Sequence, residues 1–96
     1  MYIYTLLFKR KMMRFEVINE PVEVITYFDG QKTRPLRFRW RGRPYRITHV
    51  NGIWSDHKGQ EREYHFHVST RESGSFELIY DNGRCTWKLG RVSVDD

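Results

Sequence analysis

Residues 36–41 read Leu-Arg-Phe-Arg-Trp-Arg, and a β-strand is the regular structure that suits this pattern. Successive side chains of a strand point to opposite faces, so Leu36, Phe38 and Trp40 make an apolar face while Arg37, Arg39 and Arg41 make a basic one. On a helix the same residues would scatter around the axis. The same two-residue period recurs along the chain, broken by turn residues, and no apolar run at helical spacing exceeds about two turns.

The expectation is therefore an all-β domain: a small antiparallel, strongly bent sheet or partly open barrel of five to six strands, with charged residues on its remaining edges. Val22, Val24, Thr26 and Phe28 share one face of a strand that ends at Asp29-Gly30. After the break at Gly42, Arg43 and Pro44, Tyr45, Ile47 and His49 share one face, and Arg46, Thr48 and Val50 the other. Asn51-Gly52 reads as a turn, Ser55 to Gln60 as a polar loop, and Arg62 to Thr70 as a strand with Tyr64, Phe66 and Val68 inward. Ser73-Gly74 reverses the chain into Phe76, Leu78 and Tyr80, and Asp81-Asn82-Gly83 reverses it again into a last strand containing Trp87 and Leu89.

A chain of 96 residues makes one domain, expected over 14–96. Residues 1–13 hold the apolar run Tyr2 to Phe8, which either adds an edge strand or extends to pack on a partner. That run is too short to span a membrane, and its basic residues Lys9, Arg10 and Lys11 follow it, whereas a signal peptide places them first. The single Cys85 excludes an intramolecular disulfide and a paired-cysteine metal site, as suits a cytoplasmic protein. Lying in phase with Trp87 and Leu89, it reads as a small buried hydrophobe.

Net charge is +5, but its distribution matters more. Lys32, Arg34, Arg37, Arg39, Arg41, Arg43 and Arg46 fall in one window without an acid, whereas outside it 10 basic residues meet 12 acidic ones. Alternate residues on a strand lie about 6.5 to 7 Å apart, close to the phosphate spacing of an extended nucleic-acid strand. Arginine outnumbers lysine 12 to 5, and its planar guanidinium binds phosphate bidentately and stacks on bases. These residues, with Tyr45 as an aromatic neighbour, are the candidate nucleic-acid site. About five neutralised phosphates would give single-strand binding a log–log salt slope near −3.5. Tyr27 and Trp54 are further stacking candidates. The alternative is a solvated face whose arginines pair across strands with Glu23, Glu63 or Glu77, contributing little to stability.

The sequence contains no phosphate-binding glycine loop, nucleophile elbow or HExxH motif. His65 and His67 share a strand face with Glu63 nearby, yet nothing in the pattern supplies a third metal ligand, and Asp56-His57 has no nucleophile to serve. The expectation is a non-enzymatic protein without metal or cofactor.

The segments Glu20-Pro21-Val22-Glu23-Val24, Arg34-Pro35-Leu36-Arg37-Phe38-Arg39-Trp40-Arg41-Gly42-Arg43-Pro44-Tyr45-Arg46-Ile47, Trp54, Tyr64-His65-Phe66-His67-Val68, Phe76-Glu77-Leu78-Ile79-Tyr80-Asp81 and Trp87-Lys88-Leu89 together resemble the small β domain DUF6504. The resemblance covers about Glu20 to Val94. It implies a bacterial module that occurs alone or appended to proteins resembling Y-family DNA repair polymerases, and it brings no catalytic residues. It suggests a nucleic-acid or repair-complex role. The partners expected are single-stranded or duplex nucleic acid or, as the rival reading, a repair-complex or other protein recruited by edge-strand pairing; no membrane is expected, and the chain would be a monomer or weak homodimer.

Overall fold

The computed structural model describes residues 13–72 and 74–95, the side chains of residues 13, 58, 94 and 95 excepted. The expectation of an edge strand or extension at Tyr2 to Phe8 lies outside the described residues. Seven strands run in chain order: β1 (Met13–Pro21), β2 (Glu23–Phe28), β3 (Thr33–Trp40), β4 (Arg43–Lys58), β5 (Glu61–Thr70), β6 (Ser75–Asp81) and β7 (Thr86–Asp95). They form one antiparallel sheet in the order β1-β7-β6-β5-β4-β3-β2. The all-β expectation holds, with one strand more than the five to six expected, because the bulged segment Met13–Pro21 lacks a clean alternation.

Among the described residues the two edge strands are β1 and β2, consecutive in sequence and separated only by Val22. The sheet must therefore curl until its opposite edges meet there, and the Val22 amide donates to the Trp87 carbonyl at 3.3 Å. The curl does not become a closed barrel, since no ladder joins β1 to β2. Its bend runs through β4, whose first residues pair with β3 and whose remainder, from Ile47 to Lys58, pairs with β5.

Two bulges in β4 make that bend. Thr48 and Asn51 are the extra residues where the register shifts between Ile47 and His49 and again between Val50 and Gly52, and extra residues kink and twist a strand. Both side chains bond back to the facing strand: the Thr48 hydroxyl donates to the Ser69 carbonyl at 3.3 Å and the Asn51 amide to the Ser69 hydroxyl at 2.8 Å. Asn51-Gly52 is thus a bulge inside a strand where the sequence pattern suggested a turn. The predicted loop from Ser55 to Gln60 is mostly strand, and the reversal occupies Gly59 and Gln60 alone. The bulge at Thr48 also changes the phase, so Val50 lies opposite Val68 on the inner face.

The core on the concave face consists of Phe38, Phe66, Val68, Phe76, Leu78 and Leu89, flanked by Val24, Trp40, Tyr45, Ile47, Val50, Trp87 and others. Phe38 stacks on Tyr45 at 5.0 Å between centroids and meets Phe76 edge-on at 5.2 Å. Two inward expectations are corrected. Leu36 is exposed while Pro35 is buried, because Thr26 pairs with Pro35 and Ile25 with Arg37, leaving Leu36 as a bulge. Cys85 is exposed, because it closes the β6–β7 turn with a left-handed φ of 56° and precedes the strand.

Candidate nucleic-acid interface

The bulge at Leu36 decides which arginines act together. In a regular strand, even-numbered Arg34 and odd-numbered Arg37 and Arg39 would point to opposite faces. The extra residue shifts the phase by one, so Glu23 faces Arg39, Ile25 faces Arg37 and Tyr27 faces Arg34 along β2 and β3. Residues directly opposite in an antiparallel pair share a face. On the far side of β3, Arg46 of β4 lies opposite Arg37, and Pro44 opposite Arg39. The convex face of β2, β3 and the start of β4 thus carries Arg34, Arg37, Arg39 and Arg46 with Ile25 and Tyr27 between them. The Arg34 guanidinium lies over the Tyr27 ring at 5.5 Å from its centroid.

The electrostatics of this face are lopsided. Glu23 approaches Arg39 at 4.0 Å, with both side chains largely exposed, an arrangement that contributes little. Glu72 accepts a hydrogen bond from the Arg46 main-chain amide at 2.9 Å, which holds its carboxyl below the ordinary carboxylate range. Arg37 and Arg46 are directly opposed, and like charges placed opposite each other across a strand pair are unfavourable. The Glu63 and Glu77 partners considered from sequence lie on the other half of the sheet, where Glu77 binds Arg91 Nε at 3.0 Å and His65 Nδ1 at 2.9 Å.

The remaining predicted site residues go elsewhere. Arg41 occupies the β3–β4 turn with φ 53°, where its guanidinium binds both carboxylate oxygens of Glu20 and lies over the Trp40 ring at 4.6 Å. Arg43 is exposed opposite Trp40, on the other face from Arg37. Tyr45 is half-buried in the core stack with Phe38. Lys32 is exposed at the tip of the β2–β3 hairpin, where the Asp29 carboxylate accepts the amides of Gln31 and Lys32 at 3.0 and 2.9 Å. Those two bonds fix the turn and lower the Asp29 pKa.

Sequence reasoning missed Ile25 as part of this face; it included Arg34 in the site but not the bulge that turns Arg34 to the side of Arg37 and Arg39. Pro35 was the available signal, since proline inside a strand pattern marks an edge or a bulge.

On the convex face of the other half, Trp54 stacks on His65 at 5.1 Å between centroids. His65 Nε2 lies 3.4 Å from Asp56 Oδ2 and 3.7 Å from Glu63 Oε1. His67 meets Phe15 edge-on at 6.4 Å. Among the described residues, no group of three or more His, Cys, Asp or Glu side chains has the arrangement to hold a metal ion, and no helix is long and apolar enough to cross a membrane.

The model of a family described as a domain of unknown function, DUF6504, matches residues 12–93. No curated protein and no solved structure matches the chain.

Proposed function

The chain belongs to the DUF6504 family, and from that premise we propose that it is a non-enzymatic module which binds the phosphates of nucleic acid on the convex face of β2, β3 and β4. The directly opposed pair Arg37 and Arg46, with Arg34 and Arg39 in the same row, carries this reading. Opposed like charges are unfavourable in the free protein, and an anion between them reverses that sign. Tyr27 and Ile25, both about half exposed, supply apolar surface beside the cations, the combination that holds single strands with little sequence preference. The context we propose is bacterial and in DNA repair, as the family resemblance suggests, and cytoplasmic, as the single cysteine suits.

Equilibrium titration of a labelled single strand with the wild-type chain and with an Arg37→Ser/Arg46→Ser variant tests the proposal. The expected result is binding by the wild type that weakens at least about tenfold in the variant, since a charge-assisted contact is worth about 1.5 to 3 kcal/mol; equal binding by both would remove it.

A second reading rests on β2, which among the described residues pairs only with β3 and exposes Ile25, Tyr27 and Phe28. An open apolar edge can accept a strand from a partner such as a repair-complex protein. This reading predicts self-association or protein capture that added nucleic acid leaves unchanged.

A further inference from the structure

We infer that the open mouth of the curled sheet is a second subsite, which takes the base of one unpaired nucleotide from a strand lying on the arginine face; this rests on the nucleic-acid reading above. A cavity of about 580 Å³ opens between the β2–β3 hairpin tip and strands β4, β5 and β6, with Pro35, Val50, Ile53, Tyr64, Phe66 and Tyr80 among its walls. That volume lies within the range of small-molecule sites, about 300 to 1,000 Å³.

The mouth is apolar because the core stops short of filling it. Ile53 pairs with Phe66 on the inner face, and yet it is 58% exposed. Tyr64 and Tyr80 are directly opposed across β5 and β6 and supply aromatic wall. Polar groups converge at the rim: Lys32, Arg34 and Asn82 line it. Asp29 also lines it, but its carboxylate accepts two main-chain amides of its own turn.

The charge at the rim selects the occupant. Arg34 and Tyr27 line the cavity and also end the arginine row on the convex face. A strand whose phosphates follow Arg39, Arg37 and Arg34 therefore arrives at the mouth, where Lys32 and Arg34 can hold a phosphate while the attached base turns inward. A paired base cannot make that turn, so the subsite would favour single strands over duplexes.

The test is fluorescence anisotropy with three labelled probes of about 12 nucleotides: a single strand, the same strand with abasic residues, and a blunt duplex. Each is titrated with the wild-type chain and with Ile53→Glu, which places a carboxylate at an already exposed position. The expected result is that the wild type binds the base-bearing strand roughly tenfold or more tighter than the abasic strand, as one stacked base would give. Ile53→Glu should abolish that preference, bringing the base-bearing strand level with the abasic one; whatever its carboxylate costs at Lys32 and Arg34, on the same mouth, falls on the abasic strand as well and leaves the comparison between the two single strands intact. Equal binding of base-bearing and abasic strands by the wild type would overturn the subsite while leaving phosphate binding intact, and so would a preference that survives Ile53→Glu. Failure of the wild type to bind any of the three probes would remove the nucleic-acid reading and the subsite together.

Discussion

Arg41 and Glu20, 21 residues apart, grip each other in a two-pronged pair, with Nε 3.2 Å from Oε1 and Nη2 2.7 Å from Oε2. The Trp40 indole donates to the same Oε1 at 2.8 Å. Glu20 stands near the end of β1 and Arg41 in the β3–β4 turn, so the pair ties one edge of the curled sheet to its far half. Sequence pattern assigns Arg41 to the phosphate row; the fold uses it as a clasp.

The clasp has a pH signature. Its hydrogen bonds from Arg41, then from Trp40, hold the Glu20 carboxyl below its ordinary value of 4.5. A depressed folded-state pKa contributes stability that is present above the unfolded value and lost as pH falls through the folded one. Glu20→Gln should therefore lower Tm at pH 7 by a margin that persists down to about pH 5 and narrows below the ordinary carboxylate range. Thermal melts of both chains across that range check it; a margin independent of pH would contradict the clasp. Binding to nucleic acid should be unchanged in this variant.

The phase of β3 is testable by contrast. Strict alternation treats Leu36 and Phe38 alike, whereas the bulge exposes the first at 41% and buries the second at 2%. Leu36→Ser should change stability by less than about 0.5 kcal/mol. Phe38→Ala removes a ring packed on Tyr45 and Phe76 and should cost about 3 to 5 kcal/mol. Denaturant titrations of the two variants compare them directly.

Much of the fold was legible in the sequence because period-2 alternation reports a half-buried strand directly: Phe38, Phe66, Val68, Phe76, Leu78 and Leu89 were all expected inward, and all are buried. What escaped was phase. Bulges at Leu36, Thr48 and Asn51 each insert one residue, and one residue inverts every side chain beyond it. An Asn-Gly pair reads the same in a hairpin turn as in a bulge, and the difference lies in the partner strand, here Ser69. The candidate site suffered from the same blindness: the basic window was visible, but Arg34 joins the row and Arg41 leaves it for reasons that lie in β2 and β1.

Gly90 is the bulge residue opposite the step from Glu77 to Leu78 in β6. A Cβ there would lie 2.6 Å from the Ile79 Cδ1 and 2.9 Å from the Glu77 Oε1, and both neighbours are buried. Gly90→Ala should thus cost about 1 to 3 kcal/mol, the range for overfilling a packed site, and should weaken the Glu77 contacts to Arg91 and His65. Unfolding free energies for the two chains check the magnitude.

Cys85 is exposed in the β6–β7 turn. Its thiol should react with a disulfide reagent in the native protein at a rate close to that of the unfolded chain. A rate that rises by orders of magnitude on adding denaturant would show the thiol to be buried after all.

The central claim is that four arginines on one face, Arg34 brought to the others by a bulge, neutralise phosphates, and the salt dependence of single-strand binding tests it most directly. Four contacts predict a log–log slope near −3, and Arg37→Ser/Arg46→Ser should bring it to about −1.4. A slope near zero, or one that the double substitution leaves unchanged, would contradict the account.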